Sequence, residues 1–179
     1  SELVLRQLGG SGVPGALPLV QHLTLWLGFL GAAYAAREGK LLAIASSALF
    51  PEGRWRHAAA IFAGAVGAAV SILLARASWE MVRLDREAGG EVALGIPIWV
   101  AQLVLPVAFV VLALRLAWMA SPLWSGRALA SLGLVAGTLL GQYPLWTEGA
   151  PKLAGLVVLL LGATAGAPLF VLLGGAAVW

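Results

Sequence analysis

From Leu153 to Trp179 the chain runs for 27 residues without a charged side chain. A helix needs about 20 apolar residues to cross a hydrocarbon core about 30 Å thick, so this run by itself ties the chain to a bilayer. Four further stretches repeat the signal: Leu17 to Ala36, Ala58 to Ala75, Ile96 to Leu114 and Ala128 to Leu145. The expected fold is therefore all-α, a polytopic membrane helical bundle with about four to five transmembrane helices and an interfacial helix. Gly166-Ala167-Pro168 interrupts the last run. Proline removes a backbone donor and clashes with the preceding turn, so a kinked or broken helix is expected there, its freed carbonyls satisfied by neighbouring protein.

Composition supports the same reading. Charged residues make up 11% of the chain and hydrophobic ones 61%, with a mean hydropathy of +0.95. Soluble domains carry about 25% charge, because charge is what covers a water-facing surface. The absence of cysteine excludes disulfides, thiolate metal sites and cysteine nucleophiles. A net charge of +3 does not point to nucleic acid, because the basic residues fall in ones and twos between apolar runs. Loop arginines facing the cytoplasm account for it more simply. No signal peptide is visible. A start at Ser1 and an end inside an apolar run at Trp179 lead us to expect a piece of a longer protein.

The connectors orient the spans. One side carries Arg37, Lys40, Arg54, Arg56, Arg115 and Arg127; the other carries Arg76, Arg83, Arg86 and Lys152. Only Lys and Arg are counted in the positive-inside rule, which places the first set in the cytoplasm. Residues 1–16 then lie outside, implying an earlier span. Trp79, Trp99 and Trp146 fall at outer ends and Trp55, Trp118 and Trp124 at inner ends, where indole rings favour the headgroup region. Trp26 falls near mid-membrane. Leu41 to Phe50 is apolar but too short to cross, and Pro51-Glu52-Gly53 closes it. It reads as an interfacial helix, with Arg37, Lys40, Arg54 and Arg56 at the cytoplasmic interface among lipid headgroups.

Groups for chemistry are sparse. His22 lies one turn into the first span, where a hydrogen bond to a neighbouring helix is its expected role. His57 sits beside two arginines at an inner boundary and reads as solvated. Two histidines on separate spans, with no acid inside the membrane, do not make a hydrolytic metal site. Ser71 and Ser121 have no adjacent base to activate them. Gln102 and Gln142 are expected to bond across helices. Arg76 and Arg115 lie at span ends and can snorkel. Intramembrane charges mark ion pathways, and the middles of the complete spans contain essentially none. The chain reads as a scaffold rather than as an enzyme or a self-sufficient transporter, and no cofactor is expected in it.

The outer segment from Ala75 to Glu91 is the most charge-dense. Arg76 and Glu80 are spaced i,i+4, as are Arg83 and Glu87, while Glu80 and Arg83 are i,i+3. Such pairs support a helix protruding into water by a few tenths of a kcal/mol each. The plain reading is a solvated helix end. The sharper one is a docking surface, comprising Glu80, Arg83, Arg86 and Glu87, for a soluble extracytoplasmic partner.

Two stretches carry a family resemblance: "LTLWLGFLGAAYAAREGKLLAIA" and "LGIPIWVAQLVLPVAFVVLALRL". The first resembles the second helix of the small membrane subunit of tripartite ATP-independent periplasmic (TRAP) transporters, ending in Arg-Glu-Gly-x. The second resembles that subunit's last helix, with Ile-Pro before it and Leu-Pro inside. One departure is that Leu41-Leu42 follow Lys40 where the family often carries a histidine. The resemblance divides the chain into a small-subunit-like membrane domain over 1–126, its first helix missing, then a connector helix and outer loop over 127–152. Residues 153–179 would be the start of a large-subunit-like transport domain fused in the same chain.

The resemblance also implies a function. The whole protein would be a multi-pass permease of the cell inner membrane, importing organic anions such as carboxylates on a sodium gradient. Its partners would be the large transport subunit, a periplasmic substrate-binding protein and membrane lipids. Sodium and substrate sites would lie in the large subunit, mostly beyond Trp179. A structural or assembly membrane protein without a transport partner is the alternative.

Overall fold

The computed structural model describes residues 16–37, 53–93, 95–142 and 152–178. Leu41 to Phe50, expected along the interface, lies outside these residues, as do Lys40 and Trp146. The described part is helical apart from one small hairpin. Helix α1 spans Ala16–Arg37 and α2 spans Arg54–Ala88. Strands β1 (Glu91–Ala93) and β2 (Ile96–Pro97) follow, then α3 (Ile98–Gln102), α4 (Val104–Met119) and α5 (Trp124–Gln142). Helices α6 (Lys152–Thr164) and α7 (Leu169–Val178) complete the described chain.

Among the described residues, two helical segments are long and apolar enough to cross a membrane, α2 and the run Ile98–Met119 formed by α3 and α4. Helix α2 is the axis of the bundle, packing on α3, α4, α5, α6 and α7. Its 35 residues unite the expected second span with the charged outer segment in one unbroken helix. It stops where Gly89 enters the left-handed region at φ 69° and returns its N–H to the Asp85 carbonyl at 3.2 Å. Glycine meets no Cβ penalty in that conformation. Beyond it, Glu91 pairs with Pro97 and Ala93 with Ile96 across a turn holding Gly95 at φ 76°. A hairpin this short gives no periodic signal, so the helical reading of Ile96 and Pro97 is corrected here.

Small residues bring the helices together. Lipid tails are as apolar as leucine, so membrane helices associate through close packing rather than through burial from water. The contact stripe of α5 consists of the buried Gly126, Ala130, Gly133 and Gly137. A Cβ on Gly133 would fall on the Ala65 carbonyl oxygen, and one on Gly137 would come within 2.6 Å of the Ala69 carbonyl oxygen. The matched pairs rise together in both helices, so α2 and α5 run parallel. Helix α4 runs the other way, with a Cβ on Gly64 only 2.5 Å from the Ala120 Cβ.

Helix α1 lies on α4 and half-buries one stripe, with Phe29 edge-on to Phe109 at a centroid distance of 5.2 Å. Leu23, Leu27 and Leu30 stand on its exposed side. The α3–α4 junction falls at Leu103, whose N–H bonds back to Val100 at 3.3 Å. Pro106 in the next turn has no N–H to offer residue 102. The last carbonyls of a helix lack intrahelical partners, and one here is met from outside: the Trp26 Nε1–H donates to the Ala101 carbonyl at 2.7 Å.

The apolar run from Leu153 breaks where expected, but the break is a reversal rather than a kink. Gly166 adopts φ 92°, and the Ala167 N–H closes on the Gly162 carbonyl at 2.8 Å. Helix α7 then returns along α6, placing Gly175 against Leu159. With 13 and 10 residues, the two limbs reach about 20 Å and 15 Å at 1.5 Å per residue, too short for either to cross alone. The fifth expected span is therefore a helical hairpin. Its Leu159, Ala165, Ala167 and Val171 share a core with Ala63, Val66 and Val70 of α2.

Candidate functional site

Of the functional residues expected from the sequence, those on α2 separate to its two ends. At one end stand Glu80, Arg83, Arg86 and Glu87, all exposed. Arg83 pairs with Glu80 at 3.2 Å, each side chain 58% exposed, so solvent screens the pair and its contribution is small. Arg83 takes Glu80 rather than Glu87. The expected Arg76–Glu80 pair does not form either: Arg76 turns to α5, where its Nη1 lies 3.5 Å from the Thr138 carbonyl and its stem covers Gly141. Arg86 lies over the Trp99 ring, 5.5 Å from its centroid. That contact fastens the arm to α3, and no spacing or motif in the chain signals it. Trp79 and Leu84, exposed on the same arm, add apolar surface between the charges.

The opposite end is basic. Arg54, Arg56 and His57 occupy the first turn of α2, which contains no acid. Positive charge at a helix N-terminus opposes the helix dipole, so these residues are not there to stabilise the helix. Arg54, His57 and Ser125 border a groove of about 510 Å³, and Arg56 and His57 border a second of about 440 Å³ beside Pro122. Arg127 closes this end. Its Nε–H donates to the Ser121 carbonyl at 3.0 Å, and its guanidinium lies 4.5 Å from the Trp118 ring and 5.5 Å from the Trp124 ring. Arg37 ends α1.

The polar groups inside the bundle are engaged in packing or stand alone. Ser71 is fully buried and donates to the Gly67 carbonyl at 2.7 Å. The Ser121 hydroxyl accepts from the Leu123 N–H at 3.1 Å. His22 bonds its own helix, Nδ1 to the Pro18 carbonyl at 2.8 Å, and not a neighbouring one as expected. Gln102 is buried between helices, yet its Oε1 has no partner, which overturns the expected cross-helix bond. Among the described residues no group of three or more His, Asp or Glu gathers.

What the arrangement provides is a stiff helix with a charged, solvated head and a basic foot, clamped between them by small-residue contacts. A family model described as "Tripartite ATP-independent periplasmic transporters, DctQ component" matches residues 1–126. Comparison with curated proteins and with solved structures found no match.

Proposed function

The chain belongs to the DctQ-component family of tripartite ATP-independent periplasmic transporters, and from that premise we propose that it is the bracing part of a binding-protein-dependent carrier. The family works with a large membrane subunit and a periplasmic binding protein. An integral inner-membrane setting accords with that membership and with the two apolar helices long enough to cross. In our reading α1 and α5 cross as well, with the Arg54 end of α2 in the cytoplasm and the Glu87 end in the periplasm. Residues 153–179 begin the large transport subunit in the same chain, and that subunit holds the sodium and organic-anion sites. The exposed head of α2, with Glu80, Arg83, Arg86 and Glu87, receives the binding protein, while Arg37, Lys40, Arg54 and Arg56 lie among cytoplasmic headgroups.

One observation carries this reading: the charged head and the packed middle belong to the same unbroken helix, Arg54–Ala88. A partner resting on the head is thereby held against the membrane core without an intervening loop. The test is uptake of radiolabelled organic acids into vesicles containing the complete transporter. Uptake should require both an inward sodium gradient and the cognate binding protein. Equal uptake without the binding protein would remove the docking role, and a stop codon directly after Trp179 in the native reading frame would remove the fusion. Membership of a transporter family favours this reading over a free-standing assembly protein.

A further inference from the structure

Along the seam between α2 and α5, the basic groove at the foot continues into an apolar one. The lower groove, about 510 Å³, has Arg54, His57 and Ser125 at its mouth, with Ile61 and Leu129 further along. The upper groove, about 430 Å³, runs from Phe62 and Leu132 to Leu73 and Leu140, with α6 as its far wall. One stripe of each helix lines both. Ala58, Phe62, Ala65, Ala69 and Leu73 recur along α2 in steps of four, three, four and four residues. Ser125, Leu129, Leu132, Ala136 and Leu140 repeat the same steps along α5. Residues three and four apart share a helix face, so the two grooves are parts of a single furrow.

The furrow changes chemistry along its length. No Asp or Glu borders its foot among the described residues, and Arg56 borders the adjoining groove beside Pro122. Arg54 stands where the helix dipole already concentrates positive charge, so an anion seated beside it relieves both. Its guanidinium offers N–H donors in the geometry that suits a phosphate. In the upper groove every lining residue is apolar. From Phe62 to Leu73 the furrow rises about 16 Å at 1.5 Å per residue, close to one leaflet of a hydrocarbon core about 30 Å thick. Its cross-section is then about 26 Å², against roughly 80 Å² or more for a helix 10–12 Å across. A hydrocarbon chain fits, and a helix does not. Phe62, Leu132 and Val158 stay exposed at the rim, so a chain can enter from the bilayer.

We propose that this furrow holds one anionic phospholipid, of the phosphatidylglycerol type, with its phosphate between Arg54 and Ser125 and one acyl chain between α5 and α6. A headgroup of net negative charge suits the basic foot, whereas an ethanolamine or choline headgroup brings its own cation toward Arg54 and Arg56. The inference rests on the reading above that the foot of α2 lies among headgroups, and goes beyond it by giving one lipid a defined seat. It needs neither the docking nor the fusion.

The complete transporter is reconstituted in vesicles of phosphatidylcholine with equal parts phosphatidylglycerol and phosphatidylethanolamine, and native mass spectrometry reads the lipid it retains. Phosphatidylglycerol should be retained at least about fivefold over the ethanolamine lipid. Arg54→Gln removes the charge, and Ala136→Phe fills the apolar length from an exposed position without changing charge. Each should cut the ratio below about twofold. Arg115→Gln, which removes a charge from α4 outside both foot grooves, should leave the ratio unchanged. Equal retention in the wild type, the result expected if side chains of the large subunit fill the furrow, would overturn the proposal. So would a preference that survives Ala136→Phe, or one that Arg115→Gln weakens as much as Arg54→Gln does. The level of the foot is read apart from selectivity, by a fluorophore on Trp55→Cys and its quenching by headgroup-labelled lipid of either class. Quenching with equal retention would overturn the furrow site and leave the headgroup placement standing; without quenching both fall.

Discussion

The Trp26 indole N–H and the Ala101 carbonyl, 75 residues apart in the chain, meet at 2.7 Å where α3 gives way to α4. The bond joins α1 to the helix break that Leu103 and Pro106 create. Trp26→Phe keeps an aromatic side chain, though a smaller one, and removes the donor. It should cost about 1 kcal/mol and lower the unfolding midpoint by about 2–4 °C, measured by intrinsic fluorescence in detergent. An unchanged midpoint would mean that the carbonyl finds another donor.

The crossing of α2 and α5 depends on having no side chain at Gly133. Gly133→Val places its Cβ on the Ala65 backbone, so the helices must separate, at a cost of about 1–3 kcal/mol. Gly28→Ala is the contrast, because nothing lies within 4 Å of the Cβ it adds. That change should stabilise α1 by about 0.5–1 kcal/mol. Both are read from unfolding midpoints, and similar losses at the two sites would contradict the packing described.

Reversing charge on the head of α2 separates docking from solvation. The double substitution Arg83→Glu, Arg86→Glu should cut binding-protein-dependent uptake about tenfold at low salt while leaving membrane expression intact. The gap between variant and wild type should narrow toward 1 M salt, where charges are screened beyond about 3 Å. Arg83 and Arg86 are surface residues only, if initial uptake rates match at every salt concentration.

The reversal at Gly166 is open to a direct distance test, since the chain has no cysteine of its own. Leu159 and Gly175 touch across the α6–α7 hairpin. Cysteines introduced at both positions should form an intramolecular disulfide under mild oxidation, which needs Cβ atoms roughly 3.5–4.5 Å apart. A single continuous helix would hold residues 159 and 175 about 24 Å apart at 1.5 Å per residue, and no cross-link would form.

Helix positions were legible in the sequence wherever apolar length set them, as with α1, α2 and the run from Ile98 to Met119. The break before Pro168 was also legible, because a missing N–H is a local property. Its sense was not: whether a broken helix bends or returns depends on whether α2 offers a face for the second limb, and Val66 and Val70 offer one. The i,i+4 charge pairs failed for a related reason. Spacing makes Arg76 a neighbour of Glu80, but Gly141 on α5 leaves room for the arginine stem to lie across it. Gln102 and His22 share one limitation. Sequence marks a polar residue in a span, and only the fold tells which partner, if any, comes within reach.

Helix α2 contains neither glycine nor proline from Ala68 to Ala88, and its 35 residues measure about 52 Å. A hydrocarbon core takes up about 30 Å of that, leaving roughly 20 Å of rod standing clear. The standoff of any docked protein is thus encoded as a residue count, and its bearing as a helical phase. Seven extra residues between Arg76 and Glu80 would lift the proposed docking surface by about 10 Å with nearly the same bearing. Two would swing it by about 200° to the far side of the bundle.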